Sequence, residues 1–157
     1  MQNITICEYH MQETLGAGVV ATLDTSVHVG MLRSCMQREY ERNDVLRRCF
    51  VGKTPSSGGR RRVCPASEGD IGDVLTMDLM QLSWDEADDA MRRWCCGDPR
   101  DDFPPFEFCV VRLPRGHNGF MLRVDRRLVE PGRLRALAED VFCLYGQRMC
   151  GSDVGPR

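Results

Sequence analysis

Histidine is scarce in this 157-residue chain, with three copies at His10, His28 and His117. None stands beside a cysteine pair, and no two of the nine cysteines have C-x-x-C spacing. A zinc site needs two such clusters, or cysteines with histidines close by, so no metal is expected. Long apolar runs are missing as well. Cys109-Val110-Val111 is typical of the longest, far below the roughly 20 residues of a membrane span. The opening residues, MQNITICEYHMQE, lack the basic start and apolar stretch of a secretory signal, so a cytoplasmic location is expected. Basic excess is absent too: 21 Lys and Arg face 23 Asp and Glu, for a net charge of −2. Neither nucleic acid nor a membrane is therefore an expected partner.

Several catalytic signatures are incomplete. Gly52-Lys53-Thr54 ends like a phosphate loop, but Arg47 stands where that loop needs its first glycine. Without it the backbone cannot form the anion nest, and a surface turn is expected. There is no G-x-S-x-G elbow and no G-x-G-x-x-G after a strand. Arg60, Arg61 and Arg62 read as a solvated hairpin tip. Asp85, Glu86, Asp88 and Asp89 crowd the start of a helix, where they complement its dipole. The cysteines, many on apolar faces, read as small buried hydrophobes in a reducing compartment.

What is present is a globular composition: 42% hydrophobic and 28% charged residues, enough for one domain with one core. Residues 1–15 are polar without a clear period, and Gly18–Leu23 reads as a strand. Asp24, Thr25 and Ser26 are candidate caps for a helix over 28–42, where Leu32, Cys35, Met36 and Tyr40 recur at helical spacing. Residues 52–60 are a loop, 61–65 a strand pairing back as a hairpin, and 73–80 another strand. Ser83 and Glu86 form a capping box for a helix ending at Gly97. Residues 98–105 are a linker, and 106–113 and 120–125 form an antiparallel hairpin with His117 in its turn. Leu134, Leu137, Ala138, Val141, Leu144 and Tyr145 stripe a last helix over 132–146. The order β-α-β-β-β-α-β-β-α implies an α/β (α+β) sandwich, a mixed sheet with helices packed on it.

Three stretches, in order, resemble the N-terminal lobe of chloramphenicol-acetyltransferase-like condensation domains. Met31–Phe50 looks like that family's first long helix and its leucine-arginine-x-x-phenylalanine entry to a strand, with Leu46, Arg47 and Phe50 in place. Phe103–Asp125 looks like the hairpin leading to the active-site loop. Val124–Gln147 looks like the motif strand, the H-H-x-x-x-D-G loop and the following helix. The resemblance covers 17–147, with an N-terminal segment at 1–16 and a flexible tail at 148–157. It implies a single lobe with a mostly antiparallel sheet.

The resemblance also marks a site. Asp125 falls at the first histidine, Arg126 at the second, Glu130 at the aspartate, and Pro131 at the glycine with Gly132 one place on. A one-residue shift would put Arg126 and Arg127 at the histidines. Neither register holds a histidine, and the first keeps a carboxylate in place. In the family the second histidine accepts a proton as an amine or hydroxyl attacks an acyl thioester. Arginine stays protonated and has no lone pair to offer. The resemblance thus implies a catalytically impaired half-domain acting as a binding or partner module. Its partners would be a second condensation lobe, a carrier protein or another copy of itself. The alternative is a working acyltransferase completed by a second polypeptide or by homo-oligomerisation, or using another base such as His117. No cofactor is expected to bind tightly; an acyl-CoA or phosphopantetheine-linked donor is what the family would present.

Overall fold

The computed structural model describes residues 4–50, 61–64, 71–98 and 106–154. The expected turn at Gly52–Thr54, Arg60 and the 99–105 part of the linker lie outside them. Seven strands and three helices are seen there: β1 (Ile4–His10), β2 (Gly16–Leu23), α1 (Val29–Arg42), β3 (Arg48–Phe50), β4 (Arg61–Val63), β5 (Leu75–Asp78), α2 (Trp84–Cys96), β6 (Phe106–Arg112), β7 (Asn118–Asp125) and α3 (Pro131–Val154). Five strands form one sheet in the order β1-β2-β7-β6-β5. Every pair is antiparallel except β5 with β6, which is parallel. β3 and β4 make a separate antiparallel ribbon, the hairpin expected from sequence.

Strand alternation sends side chains to two faces, and each face has its own core. Val19, Phe108, Phe120 and Leu122 point toward α1 and α3, meeting Leu32, Met36, Leu137 and Phe142. Val20, Cys109, Val111 and Met121 point the other way, onto Ala87, Met91 and Cys95 of α2. The sheet is buried on both sides, which explains why β2 reads as a continuous apolar run. Gly18 permits the approach of α2: an added Cβ would lie 2.4 Å from the Cβ of Cys95.

The helix caps show where local signals held. Ser83 Oγ accepts from the Glu86 N–H at 3.2 Å, and the Ser83 N–H donates to Glu86 Oε1 at 3.0 Å, completing the expected capping box. At α1 the cap is His28, whose Nδ1 accepts from the Met31 N–H at 2.9 Å. That corrects the expectation of Asp24, Thr25 or Ser26, because the helix starts at Val29, one residue after the imidazole.

Two terminal expectations also change. Ile4–His10, read as polar and without period, is an edge strand paired with β2 along its whole length. Ile4 and Ile6 pack against the larger core, and Arg135 of α3 holds the strand by donating to the Ile6 carbonyl at 2.7 Å. At the other end α3 continues past Gln147 to Val154. No described helix is long and apolar enough to cross a membrane.

Candidate functional site

The hairpin of β6 and β7 delivers the chain to residues 125–132, and α3 carries it away. This loop is tightly tied. The Leu128 and Val129 N–H groups both donate to the Asp125 carbonyl, at 2.9 and 3.1 Å. Leu128 and Val129 themselves are buried in the larger core. The loop is therefore a packed corner between strand and helix.

Asp125 is one of two buried charged residues among those described, at 6% exposure. Its carboxylate is engaged by its own loop. Oδ1 accepts from the backbone N–H of Arg127 at 2.9 Å and from its Nε at 3.0 Å, and Oδ2 accepts from Nη2 at 2.6 Å. This two-pronged pairing uses the planar guanidinium as a fork. It satisfies the buried charge without leaving the loop.

Arg126 points elsewhere. Its Nε donates to the Thr14 carbonyl at 2.6 Å and its Nη2 to the Gln12 carbonyl at 2.7 Å. Its backbone N–H donates to the Leu15 carbonyl at 2.9 Å. The side chain thus pins the β1–β2 turn to the end of β7. Sequence reasoning singled out Arg126 but had no signal for Gln12 and Thr14, because they lie more than a hundred residues away in a segment without period.

Glu130 is exposed and makes a long ion pair with Arg48, 3.5 Å from Nη1 to Oε2. The same Nη1 donates to the Leu128 carbonyl at 3.0 Å, so Arg48 bridges the loop to β3. The hydrogen bond from its own backbone, helped by Arg48 and Arg133, holds the Glu130 carboxyl below its ordinary range. A carboxylate so stabilised is a weak proton acceptor. Gly132 sits in the first turn of α3, where an added Cβ would meet nothing within 4 Å. The four residues singled out from sequence share one loop, and the three charged ones among them are each engaged, Asp125 by Arg127, Glu130 by Arg48 and Arg126 by backbone carbonyls.

His117 is not among them. It precedes β7 while Arg126 follows it, so an extended strand of about 3.3 Å per residue separates them by roughly 25–30 Å. His117 as a replacement base at this loop is ruled out by that separation. His28 caps α1, and His10 ends β1. Among the described residues no cluster of His, Cys, Asp and Glu could hold a metal ion.

No protein-family model matches the chain. No curated protein matches it either. Solved structures do. The starter condensation domain of the rhizomide synthetase RzmA superposes with a TM-score of 0.67 at 15% identity, covering 88% of this chain and 33% of that one. The SgcC5 protein from Streptomyces globisporus gives 0.66 at 16% identity, covering 86% and 30%. The X-domain in its complex with OxyB from teicoplanin biosynthesis gives 0.63 at 14% identity, covering 90% and 30%. The chain spans about a third of the length of these structures. At such identities the likeness shows the fold alone: the chain is folded like one lobe of these structures, the chloramphenicol-acetyltransferase-like sandwich expected from sequence.

Proposed function

We propose that the chain is a catalytically impaired half-domain related to CoA- or carrier-dependent acyltransferases and condensation domains, serving as a binding or partner module. One observation carries the reading. The residue at the base position is Arg126, and its guanidinium is held on the Thr14 and Gln12 carbonyls. It has no lone pair to take a proton, and its role in the turn is structural. Asp125 and Glu130, the carboxylates beside it, are engaged by Arg127 and Arg48. Gly132 completes the proposed loop.

The partner would be a second lobe, a carrier protein or another copy of the chain. A comparison supports this: the similar X-domain is known in complex with another protein, OxyB. The same reading puts the protein in the cytoplasm, where its buried thiols stay reduced. A second reading is an acyltransferase completed by another polypeptide or by self-association, supported by the likeness in fold to a starter condensation domain. In that case acyl-CoA or a phosphopantetheine-linked acyl group would be the donor.

The test is thiol release from acyl-CoA and acyl-pantetheine with a panel of amines and alcohols. The wild type is expected to match Arg126→Ala. Wild-type turnover clearly above that variant would overturn the impaired reading. Arg126→His, checked for folding by circular dichroism, separates the two readings further: activity gained there would mean that only the base is missing.

A further inference from the structure

A cleft of about 670 Å³ opens at the end of the sheet opposite the 125–132 loop. That volume lies in the range of small-molecule sites, which are mostly apolar with a few convergent polar groups. Strand alternation explains its floor. Val110 and Arg112 of β6, and Thr76 and Asp78 of β5, point to the face that packs α1 and α3. α1 begins only at Val29, on the cleft's rim, and leaves this corner of the sheet uncovered.

The walls are apolar and partly wet. Val29 and Met80 line the cleft at 40% exposure each. Val27 adds to them. Trp84 stands nearby, edge-on to the rim residue His117 with ring centroids 5.1 Å apart.

The polar groups are distributed unevenly. Asn118 Nδ2 is engaged by the Thr25 carbonyl at 2.9 Å. Asp78 Oδ1 accepts from the Met80 N–H at 3.0 Å, which turns it back on its own chain. His117 Nδ1 lies 3.3 Å from the Arg115 carbonyl. Arg112 is different. Its backbone is held in the sheet, the carbonyl accepting from the Leu79 N–H at 2.8 Å, and Asp78 is its register partner on β5. Its guanidinium forms no ion pair among the described residues. A planar cation left open between apolar walls matches a carboxylate, which it can grip with two parallel N–H bonds.

The geometry points to a binding site for a small apolar carboxylate in this cleft, with Arg112 holding the carboxylate and Val27, Val29 and Met80 taking the apolar body. The Met80 thioether also favours an aromatic ring. The site is separate from the Arg126 loop by the length of β7, so it stands whether or not that loop is catalytically impaired.

Titration of the full chain with 4-phenylbutyrate, followed by calorimetry and by amide NMR shifts, tests it. Saturable binding in the sub-millimolar range is expected, with shifts at 26–29 and 112–118 and none at 125–132. 4-Phenylbutylamine and 4-phenyl-1-butanol are expected to bind at least tenfold more weakly. Arg112→Gln, and separately Val29→Glu at the rim, are expected to weaken the carboxylate at least tenfold. Absence of saturable binding, equal binding of the amine, or undiminished binding by Arg112→Gln would each overturn the assignment.

Discussion

Arg126 reaches back across the fold to Thr14, its Nε donating to the Thr14 carbonyl at 2.6 Å. The contact joins the end of β7 to the turn between β1 and β2, with a second bond to Gln12. A position that the family resemblance marks for proton transfer is here a cationic staple.

Removing that staple leaves two carbonyls to find water. Arg126→Ala is expected to cost about 1–2 kcal/mol in urea denaturation, the range for lost hydrogen bonds to a charged donor at a partly exposed site. Hydrogen exchange of the 11–15 amides should quicken with it. An unchanged midpoint and unchanged exchange would mean that the staple carries no stability.

Gly18 and Cys95 set the distance between β2 and α2. Gly18→Ala places a methyl 2.4 Å from the Cys95 Cβ and 2.5 Å from its Sγ. Both partners sit on packed backbone, so the helix must move, at a cost of about 1–3 kcal/mol. Adding Cys95→Ala relieves only the sulfur contact, and partial recovery is expected in a double-mutant cycle. Full recovery would locate the strain at the sulfur alone.

Thiol chemistry divides by depth. Cys7, Cys143 and Cys150 are exposed, while Cys35, Cys64, Cys95, Cys96 and Cys109 are buried. Only the exposed three, among these eight, should react quickly with a disulfide reagent at pH 8. Fast labelling of Cys95 or Cys109, read by peptide mass spectrometry, would contradict the packing.

Alkaline pH should expose the same burial thermodynamically. Burial pushes the Cys95 thiol up to about 12 and the Cys109 thiol up to about 11, from an ordinary value of 9.0. The unfolded chain therefore releases these protons first. The stability they contribute is complete below pH 9 and falls as pH climbs toward 11–12. Urea midpoints for the wild type should drop between pH 9 and 10.5, and the drop should shrink in Cys95→Ala. A slope unaffected by that substitution would assign the titration to other groups.

Glu39 shows the same sign at lower pH. It is buried at 4% exposure on α1. Burial raises its carboxyl, Asp140 on α3 adds to the rise, and Asn43 and Arg42 oppose it. Its contribution is present below the ordinary value of 4.5 and is lost as pH rises through the higher folded value. Glu39→Gln is expected to raise Tm at pH 8 and to leave it nearly unchanged at pH 4. A lower Tm at pH 8 would mean that the carboxylate's hydrogen bond outweighs its burial.

Legibility followed the range of the interaction. α2 was readable to the residue because Ser83 and Glu86 are three apart and cap each other whatever lies elsewhere. The β6–β7 hairpin was readable because its turn is short and its apolar run long. β1 was not: Ile4 and Ile6 give two points of alternation, too few to mark a strand before β2 is known to lie beside it. The site followed the same rule. The resemblance singled out Arg126 and Asp125, but Arg127 forking onto Asp125 and Arg126 turning to Thr14 depend on where the loop stands.

Periodicity, caps and turn residues, all local in the chain, determined by themselves the three helices, the hairpin and the class of the fold. That an arginine at position 126 cannot accept a proton was equally plain, since that chemistry needs no neighbours to forbid it. The tertiary structure alone decided the sheet order, the parallel pairing of β5, the pinning of the β1–β2 turn by Arg126 and the cleft around Arg112. Those features join residues far apart in the chain, and pattern along one strand or helix does not say which distant segment will lie across from it.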